Sequence, residues 1–207
     1  MSASHIGIIV LAAGASVRMG EPKQLLRFEN ETLLRRAVNA ALQTKCRPVI
    51  VVLGAKAEQL SEEVSDLETQ IVFNQEWQEG MSSSIRYGIG ALEAATSGKA
   101  QAAILMLCDQ PFVTSIVINR LIENYHHTNA AIVACEYGTG EDKTRGVPAL
   151  FSRLLFPALL ELRGEEGAKR IIMQHASQVS AVISPEAASD VDSPSDYRNL
   201  HCQDQSV

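Results

Sequence analysis

Short unbroken runs of apolar residues recur along the chain, at 6–13, 49–53, 71–73, 102–108, 130–135 and 179–183. Most are continuous rather than alternating, the mark of strands covered on both faces. Between them the spacing changes to that of helices. Leu34, Ala37, Val38, Ala41 and Leu42 sit at i, i+3, i+4, i+7 and i+8, one buried helical face. Leu60, Val64 and Leu67 repeat the pattern more weakly, and Ile85, Ile89 and Leu92 do so behind the polar entry Ser82-Ser83-Ser84. Further helices are predicted over 115–125 and around 168–175, with a short last one after Pro194. Strand alternating with helix predicts right-handed βαβ crossovers and a mostly parallel sheet with helices on both sides. That is an α/β fold in three α/β/α layers. No repeat, low-complexity tract or linker divides the chain, so residues 1–207 read as one domain, with a polar end at 201–207 expected to fray.

Composition narrows the partners. A chain of 207 residues can bury a substantial core, and 46% apolar with 20% charged residues is the make-up of an ordinary soluble protein. The formal net charge of −6 gives no bulk attraction to nucleic acid or to an anionic membrane, so neither is expected as a partner. Any phosphate chemistry then falls to a few local cations. The first apolar run is too short to span a bilayer and lacks the basic start and cleavage pattern of a signal peptide. Cys46, Cys108, Cys135 and Cys202 form no Cys-x-x-Cys pair and no Cys/His ligand spacing, so reduced thiols and a cytoplasmic location are expected.

In an open parallel sheet, ligands bind at the carboxyl ends of the strands. Four segments there carry candidate chemistry. The first, Leu11-Ala12-Ala13-Gly14-Ala15-Ser16-Val17-Arg18-Met19-Gly20, leaves its strand on small residues that let a ligand approach the backbone. Its N–H groups can form an anion nest, Arg18 can fork onto phosphate oxygens, and Lys23 adds a point charge after Pro22. Five residues separate the glycines, so this is not the P-loop, and it is not the G-x-G-x-x-G fingerprint either. A Gly-rich turn with two solvated cations is the other reading. The second segment, Gly80-Met81-Ser82-Ser83-Ser84, is either a helix N-cap or a set of donors for a base and ribose, and Trp77 just upstream reads as a packing residue. In the third, Asp109 follows an apolar strand directly and is either a Mg²⁺ ligand or a turn cap. In the fourth, Asp190–Tyr197, Asp192 is either a second metal ligand or, with Ser193 and Pro194, part of a helix start.

Taken together these residues resemble the MobA-like nucleotidyltransferase superfamily, whose fingerprint LAAG-x-S-x-R-M-G-x-P-K runs in full from Leu11 to Lys23. Within it the chain is most similar to the molybdenum-cofactor cytidylyltransferases. The blocks NQEWQEGMSSSI (74–85), LCDQPFV (107–113), GVPALFS (146–152) and LRGEEGAK (162–169), and the closing D-x-D-[ST]-P-x-D motif, fall where that subgroup has similar ones. The resemblance implies a Rossmann-like sheet of the nucleotide-diphospho-sugar transferase type. It implies Arg18, Lys23 and Asp109 as catalytic residues, and Leu11, Ala12, Ala13, Gly14, Gly80, Ser82, Ser83 and Ser84 as further nucleotide contacts. Asp109 and Asp192 would hold Mg²⁺. The implied reaction moves CMP from CTP onto molybdopterin, releasing pyrophosphate, with a molybdoenzyme or its maturation chaperone as a protein partner. The alternatives are a guanylyltransferase or other nucleotidyltransferase acting on a sugar phosphate or another small phosphorylated acceptor, or a non-catalytic nucleotide-binding module. One departure falls on the acceptor side: the subgroup commonly has Gly-His-Pro where this chain has Gly146-Val147-Pro148. Lys143 and Arg145 in the preceding loop are either contacts for an anionic acceptor or solvated charges. An acceptor phosphate is already anionic, so no general base is needed, consistent with His5, His126 and His127 sitting in no telling context.

Overall fold

The computed structural model describes residues 5–138, 140 and 143–203. In chain order the strands are β1 (Ile6–Ala12), β2 (Arg27–Phe28), β3 (Glu31–Thr32), β4 (Val49–Leu53), β5 (Gln70–Phe73), β6 (Ala102–Leu107), β7 (Ile132–Tyr137), β8 (Thr144–Ser152) and β9 (Val179–Ile183). The helices are α1 (Leu33–Leu42), α2 (Ala57–Glu62), α3 (Met81–Ala95), α4 (Ser115–Thr128), α5 (Phe156–Leu160), α6 (Ala168–Gln174) and α7 (Pro194–Gln203). Seven strands form one sheet in the order β5-β4-β1-β6-β8-β7-β9, and β8 alone runs antiparallel to its neighbours. The remaining pair, β2 and β3, is a small hairpin after the first loop.

The continuous apolar runs have the expected cause. Every residue of β1 is buried, because successive side chains enter opposite layers. Ile6, Ile8 and Val10 pack with Leu34 and Val38 of α1, Leu60 of α2 and Ile118 and Leu121 of α4. Ile9 and Leu11 pack with Ile85, Ile89 and Leu92 of α3, Leu159 of α5 and Ile171 of α6. A Cβ at Gly88 would stand 2.5 Å from Ile9 Cγ2, so α3 lies on the sheet at a separation that only glycine permits.

Differences from the periodicity have local reasons. α2 ends at Glu62, and Val64 is buried from the turn that follows it. β7 starts two residues later than the apolar run and extends through Glu136 and Tyr137, which pair with Arg145 and Thr144 of β8. β8 itself contains Pro148, a residue that argues against a strand. The register opens there: Ala134 pairs with Ala149 and Cys135 with Gly146, so Val147 and Pro148 fall in a bulge and no ladder N–H is asked of the proline. α7 extends to Gln203, while residues 204–207, within the stretch expected to fray, lie outside the described residues. Among the described residues, no helix is long and apolar enough to cross a membrane.

The strand order reverses between β1 and β6. From β1 the chain moves outward through β4 to β5, then returns to place β6 on the other side of β1. That reversal opens a crevice at the carboxyl ends of β1 and β6, where the first and third candidate loops emerge.

Candidate active site

A cavity of about 330 Å³ lies in this crevice. The end of β1 and its loop contribute Leu11, Ala12, Ala13, Gly14 and Ala15. The start of α3 contributes Gly80, Met81 and Ser84, and the end of β6 contributes Leu107, Cys108 and Asp109. Lys23, Gln24, Trp77, Gln78 and Glu165 complete the wall. Burial, with the Asp109 charge beside it, holds the Cys108 thiol well above its ordinary range, so it serves as neutral apolar wall.

Lys23 stands at the mouth between two carboxylates. Its Nζ donates to Asp109 Oδ2, and to Asp192 Oδ1 at 2.7 Å. Burial works against the ammonium, but the charges and hydrogen bonds of Asp109 and Asp192 outweigh it and hold its pKa well above the usual lysine value. Asp109 is 7% exposed and caps no helix: α4 begins at Ser115 with Thr114 before it. Its Oδ1 is buried and accepts no hydrogen bond among the described residues.

Asp192 reaches Asp109 through the packing of the C-terminal segment. Val191 N donates to Asp109 O at 2.9 Å, and Val191 and Leu200 join Leu26, Phe28 and Leu33 in a small core of their own. Tyr197 Oη donates to Arg27 O at 2.9 Å. The same segment forms a helix start. Asp196 Oδ2 accepts from the Ser193 backbone N–H at 2.8 Å, and the Asp196 N–H donates to Ser193 Oγ at 3.3 Å, a reciprocal cap at the start of α7. Gln110 braces the same region from inside, its Nε2 donating to Val147 O at 3.2 Å and Ala187 O at 3.0 Å.

The three serines divide their work. Ser82 Oγ donates to Gly164 O at 2.7 Å, and Ser83 Oγ donates to Gly80 O at 2.9 Å, so both hydroxyl protons are spent inside the protein. Asn74, buried before the turn that carries Trp77, donates from Nδ2 to Ser83 Oγ at 2.8 Å and to Ser84 Oγ at 3.1 Å. Ser84 is therefore an acceptor here, keeps its own proton to donate, and is the serine of the three that borders the cavity. The 162–167 loop is fastened over the helix start by these bonds and by Arg86 Nη1, which donates to Leu162 O at 3.0 Å. Gly80, at φ +116°, makes room for it, since a Cβ there would lie 2.5 Å from Gly164 O. This loop brings in Glu165. Trp77 both packs on the core beneath α3 and borders the cavity.

The structure does not bring Arg18 into the cavity wall: its side chain is exposed on the loop and makes no hydrogen bond or ion pair among the described residues. The charges of Lys143 and Arg145 are spent on Glu136, with Arg145 Nε 3.0 Å from Oε2 and Lys143 Nζ 3.3 Å from Oε1. Of the residues not marked out by sequence, Gln24 and Asn74 hold the site's backbone and hydroxyls in place, and Glu165 borders the cavity. Asn74 lies in the quoted 74–85 block and Glu165 in the 162–169 block, which is the signal available for those two, whereas Gln24 falls just beyond the fingerprint's last lysine.

A divalent cation can be tested against this donor set. Among the described residues no group of three or more His, Cys, Asp and Glu side chains is arranged to hold a metal alone. Two carboxylates do converge on one cationic atom, however, and the second oxygen of the buried one has no partner. Magnesium and manganese favour oxygen donors and commonly take one or two carboxylates with substrate phosphates. The residues fit such an ion.

The model of the MobA-like NTP transferase domain matches residues 8–179. Among curated proteins, the chain is 31% identical over 171 residues to nicotine blue oxidoreductase of Paenarthrobacter nicotinovorans, covering 80% of each. It is 26% identical over 195 residues to molybdenum cofactor cytidylyltransferase of Escherichia coli, covering 94% of each. Among solved structures, Rv0371c of Mycobacterium tuberculosis superposes with a TM-score of 0.79 at 31% identity, over 97% of this chain and 98% of that one. The same protein in complex with manganese gives 0.76 at 29%, over 98% and 100%.

Proposed function

The chain belongs to the MobA-like NTP transferase family and is a nucleotidyltransferase, and from that premise we propose that it acts as one domain to move CMP from CTP onto the phosphate of molybdopterin, releasing pyrophosphate. The observation that carries this reading is the meeting of Lys23, Asp109 and Asp192 at the mouth of a cavity walled by the Leu11–Ala15 backbone. A cation beside small, exposed backbone suits a triphosphate, and an oxygen donor set suits the metal that travels with one. The choice of CTP and molybdopterin is supported by the E. coli relative's name and the sequence blocks shared with its subgroup. The oxidoreductase name of the other relative is not carried over, because a lysine and two carboxylates beside small, exposed backbone suit phosphate transfer.

In this mechanism an oxygen of the acceptor phosphate attacks the α-phosphorus, a new P–O bond forms, and the bond to the β-phosphate oxygen breaks with its electron pair leaving on pyrophosphate. The acceptor oxygen carries no proton at neutral pH, so none has to be removed. What the chain supplies is position and charge. The Gly14–Ala15 backbone cradles phosphates, and Lys23 turns from the carboxylates to stabilise the charge that develops on pyrophosphate. Arg18 reaches the same phosphates from the exposed arm of the loop, and Ser84 donates its free proton to the base or ribose. Asp109 and Asp192 would hold Mg²⁺, which when bound neutralises phosphate charge and polarises the α-phosphate.

The test pairs CTP, GTP, ATP and UTP in turn with molybdopterin and with common sugar phosphates, with and without Mg²⁺, and reads pyrophosphate. Metal-dependent release with CTP and molybdopterin is the expected result, and release with another pair alone would replace the assignment. The serines provide a second check. Ser84→Ala is expected to weaken CTP binding about tenfold, the worth of one hydrogen bond to a polar ligand. Ser82→Ala is expected to cost about 1 kcal/mol in urea denaturation, because the part-buried side-chain bond to Gly164 O is lost while the Ser82 N–H still donates to that carbonyl at 3.2 Å, and CTP binding changes little. The reverse pattern would exchange their roles.

A further inference from the structure

Gln24 is 1% exposed although it borders the cavity. Its amide has two protons to give, and both are committed: Nε2 donates to Ala12 O at 3.1 Å and to Gly14 O at 2.7 Å. Its Oε1 accepts from Ser16 Oγ at 3.1 Å, and Ser16 Oγ accepts in turn from the Lys23 backbone N–H at 3.0 Å. One side chain thus joins the exit of β1, the turn at Gly14–Ser16, where Ser16 sits at φ +55°, and the backbone of Lys23. With no donor left over, Gln24 has none to offer a polyanion, so it acts on a ligand through the loop. Each carbonyl it holds is an oxygen kept from facing a triphosphate.

We propose that Gln24 is a positioning residue for nucleotide binding: with Ser16 it clamps the first loop so that the backbone N–H groups and Lys23 are arranged before the triphosphate arrives. A loop held this way pays less ordering entropy on binding, which is how a residue that donates nothing to the ligand can set its affinity. The inference rests on the nucleotide reading given above.

The experiment compares wild type with Gln24→Met, which keeps the length and removes the amide, and Gln24→Glu, which keeps the shape and sets an oxygen against two carbonyl oxygens. Calorimetric titration with a non-hydrolysable CTP analogue and steady-state pyrophosphate release are read side by side, with circular dichroism as the check on fold. Expected is a rise of about 10- to 100-fold in Kd and KM for the nucleotide, larger for Glu than for Met, with the acceptor KM at saturating nucleotide within about threefold of wild type. Folded variants whose nucleotide Kd stays within about threefold would overturn the clamp, as would a loss carried by kcat alone. Failure of both variants to fold would also overturn it, leaving Gln24 a purely structural residue. Wild type that binds no analogue sinks the nucleotide reading itself, whereas normal wild-type binding with unmoved variants sinks the clamp only.

Discussion

Asp109→Asn should lower pyrophosphate release by about 10³-fold or more while the protein stays folded. The substitution keeps the side-chain shape in a position only 7% exposed, and it leaves the backbone bond from Val191 N to Asp109 O in place, so the C-terminal segment still docks. An amide oxygen can still accept from Lys23. What disappears is one full negative charge at the point where two carboxylates converge, and with it half of the donor set that suits a divalent ion. Binding of Mn²⁺ in the presence of nucleotide should weaken in parallel. Turnover within about tenfold of wild type would remove Asp109 from the chemistry.

Much of this arrangement is legible before any coordinates, and the reason is physical. A strand buried on both faces cannot alternate, so β1, β4 and β6 announce themselves as apolar runs, and the first residues beyond each are placed at the ligand edge of the sheet. That is why Gly14 and Asp109 stand out at once. β8 does not, because Arg145, Gly146 and Pro148 break its pattern, and the bulge that accommodates them exists only through pairing with β7. Nor does any spacing bring Asp192 to Asp109, which depends on Val191 and Leu200 packing against Leu26, Phe28 and Leu33 from the other end of the chain. The serines make the same point more finely. Three identical residues in a row carry no mark of which hydroxyl is free, and that is decided by Gly164, Gly80 and Asn74. Sequence reads the elements and the loop ends, while the division of labour among neighbouring polar groups is set by partners that arrive from elsewhere.

Lys23→Met is expected to lose turnover and stability while gaining metal affinity, and the opposition between turnover and metal binding is diagnostic. The ammonium now satisfies Asp109 and Asp192 together, yet the proposed mechanism needs the same atom on the phosphates. Removing it should cut pyrophosphate release by about 10³-fold, since the charge that leaves with pyrophosphate then lacks its nearest cation. It should also leave Asp109, whose side chain is 10% exposed, without its counter-ion, at a cost on the order of 3 kcal/mol in urea denaturation of the metal-free protein. Metal binding should move the other way. Lys23 and a divalent ion compete for the same two carboxylates, so the variant should bind Mn²⁺ in the absence of nucleotide about tenfold or more tightly than wild type, read by paramagnetic resonance. In wild type, nucleotide should tighten Mn²⁺ binding by drawing the ammonium onto its phosphates, and in the variant most of that coupling should vanish. A variant that loses turnover but binds Mn²⁺ no better alone would mean that the carboxylates do not form the metal site. One that keeps turnover would mean that Lys23 serves only to pair them.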